Sequence, residues 1–256
     1  MVADIHLGNV SKTFPAQAGK VEALGGIELD VAQHEFVSVL GPSGCGKSTL
    51  LRIVAGLIPP SGGEVLVHGQ PIDGPSSKVG IVFQSPVLLP WRTVLQNIEL
   101  QVEVRKLDRA AFRDKARKLI SLVGLEGFAD SYPYQLSGGM QQRVSLCRAL
   151  IHDPSLLLMD EPFGALDALT REQMGLELQR VWLETKKTVL FITHSIAEAV
   201  FLSDRIVVMS ARPGRIQEIV AVDIPRPRSL DAMKDPRFHQ AVDRARKLMN
   251  AAGLPE

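Results

Sequence analysis

The chain is poor in the features that mark secreted, membrane-embedded or nucleic-acid-binding proteins. Its two cysteines, Cys45 and Cys147, are too few for a disulfide framework in 256 residues. They fit a chain that keeps its thiols reduced, so the cytoplasm is the expected compartment. A formal net charge of +1 gives no whole-molecule field of the kind a nucleic-acid binder presents, although a local basic patch fits inside a balanced total. No nucleic-acid partner is expected. Apolar runs such as SLLLM and TVLFI are far shorter than the roughly 20 residues needed to cross a bilayer. Membrane association is therefore expected to run through a protein partner. The opening MVADIHLGNV has no basic cluster leading into an apolar stretch, so it reads as the start of the mature chain and not as a leader. No internal repeat is present, which points to a single copy of whatever unit the chain encodes.

What the chain does have is ordinary globular composition, with 45% hydrophobic and 22% charged residues, enough for a sizeable core. The short runs EFVSVLG, KVGIVF, SLLLMD, TVLFIT and RIVVM are separated by helical patterns, which predicts a buried, mainly parallel sheet with helices on its faces. The stretches IHLGNVSKTF, KVEALGGIELDV and GGEVLVHGQPI alternate in polarity between glycine-rich turns, which predicts a small antiparallel layer near the N-terminus. Between Pro86 and His152 the strand signal lapses and three helical patterns follow, so a helical lobe over 86–152 is expected inside an α/β unit spanning 1–225. Residues 226–256 read as a Pro- and charge-rich tail with a weakly amphipathic helix.

The sharpest chemical motif is Gly41-Pro42-Ser43-Gly44-Cys45-Gly46-Lys47-Ser48-Thr49, a phosphate loop between a predicted strand and a predicted helix. Its glycines let successive backbone N–H groups wrap phosphates, and the helix start adds its positive end. Lys47 is expected to reach the β- and γ-phosphates, and Ser48 to offer its hydroxyl to Mg²⁺. The apolar strand SLLLMD then ends in Asp160 and Glu161, and alternation is expected to aim them in different directions. Asp160 suits a metal contact and Glu161 a general base, while a solvated acidic pair is the plain alternative. Ser137 and two glycines precede the helix MQQRVSLCRALI and predict an N-capped helix start able to bind a second anion.

Leu136-Ser137-Gly138-Gly139-Met140-Gln141, standing before Asp160 and after the phosphate loop, resembles the signature sequence of ABC ATPases. The resemblance covers nearly all of the chain. It implies a P-loop NTPase (RecA-like) core, ATP and Mg²⁺ as ligands, and a head-to-tail homodimer in which Ser137, Gly138 and Gly139 of one subunit close over ATP on the other. It also implies that Gln84 links metal and water to the helical lobe, that Ala165-Leu166-Asp167 is a D-loop, and that His194 is a switch histidine at the γ-phosphate. Phe14 resembles the aromatic residue that stacks on adenine, with a core phenylalanine as its competitor. Two positions depart from the family pattern: Met140 stands where many members have Gln, and Ser195 where Asp often follows the histidine. Ser195 and Glu198 fit a capping box.

The segment SPVLLPWRTVLQNI resembles the groove of ABC importers that receives a helix of the membrane subunit, with Leu88, Leu89, Trp91 and Arg92 as candidates. A satellite hydrophobic cluster is the alternative. LLPWRTVLQNI, FITHSIAEAVFLSDRIVVMSARPGRI, IPRPR and DPRF resemble the importer group for nitrate, sulfonates, taurine and pyrimidine vitamin precursors. That group implies permease subunits, a separate solute-binding protein and a peripheral position on the inner face of the cell membrane. A soluble, non-transport ABC ATPase and an exporter motor remain the competing readings.

Overall fold

The computed structural model describes residues 3–16 and 19–251. In chain order the strands and helices are β1 (Ala3–Ala16), β2 (Gly19–Ala32), β3 (Phe36–Leu40), α1 (Lys47–Val54), β4 (Gly62–Val67), β5 (Gln70–Pro71) and β6 (Val79–Val82). Then come α2 (Val94–Val104), α3 (Arg109–Leu122), α4 (Gly138–Leu150), β7 (Leu156–Asp160), α5 (Ala168–Thr185), β8 (Thr188–Ile192), α6 (Ile196–Leu202), β9 (Arg205–Met209), β10 (Ile216–Ala221) and α7 (Pro236–Ala251).

Six strands form the main sheet in the order β10-β9-β3-β8-β7-β6. It is parallel except for β10, which pairs antiparallel with β9 at the edge. Both faces are covered, which is why β3 and β8 are buried at every position and read as unbroken apolar runs. Successive side chains divide between two cores. Val37, Val39, Leu158, Leu190 and Ile192 pack with α1 and the N-terminal layer. Phe36, Leu40, Leu157, Met159, Val189 and Phe191 pack with the helices of the opposite face. The N-terminal layer is a four-stranded sheet, order β2-β1-β4-β5, antiparallel throughout.

The helices between β6 and β7 start where polar side chains can cap them. Thr93 and Gln96 form a reciprocal capping box on α2, Asp108 caps α3 and Ser137 caps α4. α2 packs against both α3 and α4.

The C-terminal segment is more deeply built in than its composition suggests. Phe238, Ala241, Ala245 and Met249, at helical spacing along α7, are buried in the same core as the sheet. Arg228 is 2% exposed. Its guanidinium donates to the carbonyls of Val200, Phe201 and Ser203, the end of α6, and to Ile224 O. Carbonyls that α6 leaves without partners are thereby satisfied. Burial pulls the Arg228 pKa down to about 10.

Candidate nucleotide site

The site sits at the carboxyl ends of β3, β7 and β8, where three loops meet. The first is the phosphate loop between β3 and α1. Gly46 has φ 107°, and a Cβ there would lie 2.7 Å from Leu24 Cδ2 and 2.8 Å from Ala23 O, so only glycine fits. α1 has no side-chain cap, so the N–H groups of its first turn are left without helical partners. Gly46, Lys47, Ser48 and Thr49 line a cavity of about 440 Å³, so the uncapped helix start borders open space of the kind an anion can fill. Lys47, 6% exposed, donates to Gly41 O at 2.7 Å and Pro42 O at 3.0 Å. Two of its three N–H donors are thus spent on holding the loop. Cys45 is buried, and desolvation pushes its thiol pKa up despite the nearby Lys47 ammonium.

The wall facing the loop is the hairpin of the N-terminal layer: Phe14, Pro15 and Ala16 of β1 with Val21 and Ala23 of β2. Phe14 is 37% exposed and belongs to neither core; it stands on the cavity wall with the Lys12 ammonium 5.1 Å from its ring centre. Arg212 completes the wall. Its Nε and Nη2 donate to Gly44 O at 3.2 and 3.0 Å, and the next turn is tied to the hairpin by Gly214 N donating to Ala23 O. Arg212 escaped sequence reasoning because it lies far from the loop in the chain, on a turn with no phosphate-binding motif.

The second loop follows β7. Ser48 Oγ donates to Asp160 Oδ1 at 2.9 Å, while burial raises the Asp160 pKa, opposed by that hydrogen bond. Glu161 does diverge from Asp160, but not by strand alternation. It lies past the end of β7 with φ 45°, a left-handed turn uncommon for a non-glycine residue. Glu161 N donates to Ile192 O at 2.9 Å, which pins the turn to β8. The third loop follows β8 and carries His194, whose Nδ1 lies 3.0 Å from Glu161 Oε2. Because the carboxylate accepts, the Nδ1 proton belongs to the histidine. Gln84, exposed just past β6, converges on the same place: a Cβ on Gly164 would meet Gln84 Nε2 at 3.3 Å and Glu161 Oε2 at 3.8 Å.

The structure does not bring everything together. Ser137 caps α4 by accepting from Met140 N at 3.3 Å, yet Ser137, Gly138 and Gly139 do not line the cavity of the same chain. The capping box expected at Ser195 is half formed. Ser195 Oγ accepts from Glu198 N, but the Glu198 carboxylate turns to Thr193 and Arg171 instead of back to Ser195 N. A larger hollow, about 980 Å³, lies around Asp4, His68, Lys78, His152 and Ser155. It has no phosphate loop, so size alone misdirects here.

The segment after Gln84 forms a separate surface. Buried Asn97 donates to the carbonyls of Leu89, Arg92 and Thr93 and accepts from Leu89 N, while Arg148 holds Pro86 O and Val87 O. Of the four residues singled out there, only Trp91 is largely exposed, at 69%. Leu88 and Leu89 are half-buried, and Arg92 is fixed in a two-pronged ion pair with Glu103. Phe83 and Val87 supply the remaining exposed apolar surface.

The ABC transporter family profile matches residues 24–164. An uncharacterised ABC transporter ATP-binding protein of Methanocaldococcus jannaschii is 53% identical over 94% of this chain and 91% of its own. The aliphatic sulfonates import ATP-binding protein SsuB of Bacillus cereus is 46% identical over 88% of each. A dimeric ATP-binding cassette solved in a post-hydrolysis state with ADP and Pi superposes with a TM-score of 0.75 at 34% identity, over 86% of this chain and all of that one. With the phosphate loop, the carboxylate-bearing strand and the helical lobe in their places, the chain belongs to the ABC transporter family, as an ATP-binding and ATP-hydrolysing subunit.

Proposed function

We propose that two copies of this chain bind two ATP molecules between them and use their hydrolysis to energise import of a small solute through separate membrane subunits. The observation that carries the proposal is the division of the site: one chain's cavity is lined by the phosphate loop, the Phe14 wall and Glu161, while the capped helix start at Ser137–Gly139 does not line it. A head-to-tail pair brings each helix start onto the other chain's ATP. The relatives that energise sulfonate import favour a solute of the sulfonate, taurine, nitrate or pyrimidine-precursor class.

In this reading adenine stacks on Phe14. The N–H groups of Gly44–Thr49 and the Lys47 ammonium take the phosphates. Ser137, Gly138 and Gly139 close the site from the partner. Glu161 accepts a proton from the attacking water, and His194, hydrogen-bonded to it, holds that carboxylate and the γ-phosphate in register. Among the described residues no cluster of three or more His, Cys, Asp or Glu holds a metal alone, but a hard cation that keeps water and phosphate ligands needs few protein oxygens. The preformed Ser48–Asp160 pair suits Mg²⁺, with the Gln84 side chain as a further oxygen ligand, and the ion would neutralise charge on the phosphate oxygens.

Residues 1–225 act as the nucleotide-binding unit and 86–152 as the lobe that moves, with 226–256 as a tail whose helix α7, Pro236–Ala251, packs on the core. The exposed Trp91, with Leu88, Leu89 and Arg92 shaping its turn, is the dock for the permease. The permease in turn meets a solute-binding protein. No helix of the described residues is long and apolar enough to cross a membrane; the peripheral position on the inner membrane face comes from docking on the permease. The test is uptake of labelled taurine, alkanesulfonate, nitrate and a pyrimidine precursor in cells carrying the native chain or Glu161→Gln. Loss of one uptake activity supports import and names the cargo. Unchanged uptake of every solute tested, with in vitro ATPase activity present, overturns this assignment.

A further inference from the structure

Behind the switch loop, three side chains that no part of the mechanism yet uses form a continuous chain of contacts, buried at Thr193 and part-exposed at Arg171. Thr193, 2% exposed and directly before His194, donates its hydroxyl to Glu198 Oε2 at 2.6 Å and accepts from Ser195 N at 3.0 Å. The other Glu198 oxygen lies 3.3 Å from Arg171 Nε as an ion pair. Arg171 Nη2 then donates to Leu166 O at 3.0 Å, in the middle of the turn between β7 and α5. That turn and the first turn of α5 abut the helix start at Ser137: a Cβ on Gly138 would touch Leu166 of the turn, and one on Gly139 would stand 2.6 Å from Thr170 Cγ2 of α5. Burial pushes the Glu198 pKa up, and the Thr193 hydroxyl and the Arg171 charge oppose it.

We infer that Thr193, Glu198 and Arg171 are positioning residues that tie the 165–167 turn, and through it the helix start at Ser137–Gly139, to His194. The inference rests on the reading of His194 and Glu161 as the hydrolytic pair. In the head-to-tail pair the 137–139 segment touches the partner's ATP, so a shift of that segment reaches His194 through two side-chain ion and hydrogen bonds and one carbonyl. A purely structural staple between α5 and α6 would hold the same contacts, but would not act through the histidine.

The test is a double-mutant cycle on the full chain, reading kcat and KM for ATP, nucleotide affinity with a fluorescent ADP, and the unfolding midpoint. Glu198→Gln, Thr193→Val and Arg171→Ala are made singly and each with His194→Ala. Glu198→Gln keeps shape and volume and guards against misfolding. Each single variant is expected to lower kcat roughly ten- to a hundredfold, the cost of a misplaced catalytic group, with KM and ADP affinity within about twofold of native. Added to His194→Ala, none is expected to lower kcat further. Losses that multiply with His194→Ala, or a kcat untouched by Glu198→Gln while His194→Ala is slow, overturn the relay alone. Native turnover in His194→Ala overturns the reading of the site and the relay with it.

Discussion

Lys47 and Arg228 are both buried cations that donate to main-chain carbonyls, and they do opposite things. Lys47 spends two donors on Gly41 O and Pro42 O and still lines an open cavity. Arg228 spends its guanidinium on Val200, Phe201, Ser203 and Ile224 carbonyls in a closed interior. Burial of a charge therefore does not mark function. What separates the two is whether a donor remains and whether a ligand can reach it. Lys47 holds a loop that binds something else, whereas Arg228 is itself what the end of α6 binds.

The comparison breaks first at Lys47. Lys47→Ala is expected to cut ATP turnover by about 10²–10³-fold, the cost of losing one preorganised charge donor. Its unfolding midpoint should fall less than that of an Arg228 variant, because two carbonyls lose a donor there and four do at Arg228. Arg228→Met should show the reverse: about 3 kcal/mol lost from stability, because carbonyls at the end of α6 are left buried without donors, with kcat preserved at low temperature. Denaturant unfolding and steady-state turnover on both variants decide it, and the opposite pattern would dissolve the distinction.

His152 sharpens the point on a smaller scale. Its Nε2 donates to Val79 O at 3.3 Å, while Nδ1 is buried without a partner. Burial, with Arg105 and Lys115 adding, pulls its pKa to about 4 from 6.5. Between those values the unfolded chain takes up a proton that the folded chain refuses. Stability is therefore expected to be intact above pH 6.5 and to fall as pH drops toward 4, by at most about 3 kcal/mol from this group and less where solvent screens it. His152→Gln should flatten that slope in pH-dependent thermal melts, and an unchanged slope would remove the assignment.

The sheet and the phosphate loop were legible in the sequence because both rest on local pattern. Strands buried on two faces have to be apolar throughout, and a loop that wraps phosphate needs glycine at fixed spacing. The order of the loops around Glu161 followed from chain position. Less local features were hidden. The divergence of Glu161 from Asp160 comes from a left-handed turn that no composition signals. Glu198 fits a capping box by spacing, yet Arg171 and Thr193 compete for its carboxylate and win. β10 carries only a weak alternation and exists because β9 offers it an edge. The roles of Arg212 and Arg228 depend on segments far away in the chain.

The most direct measurement is single-turnover ATP hydrolysis by Glu161→Gln beside its ATP binding. Native-like binding is expected, with hydrolysis slowed by about 10²–10⁴-fold, the range of a general base. Near-native turnover in that variant would contradict the assignment of Glu161 and with it the arrangement proposed around His194.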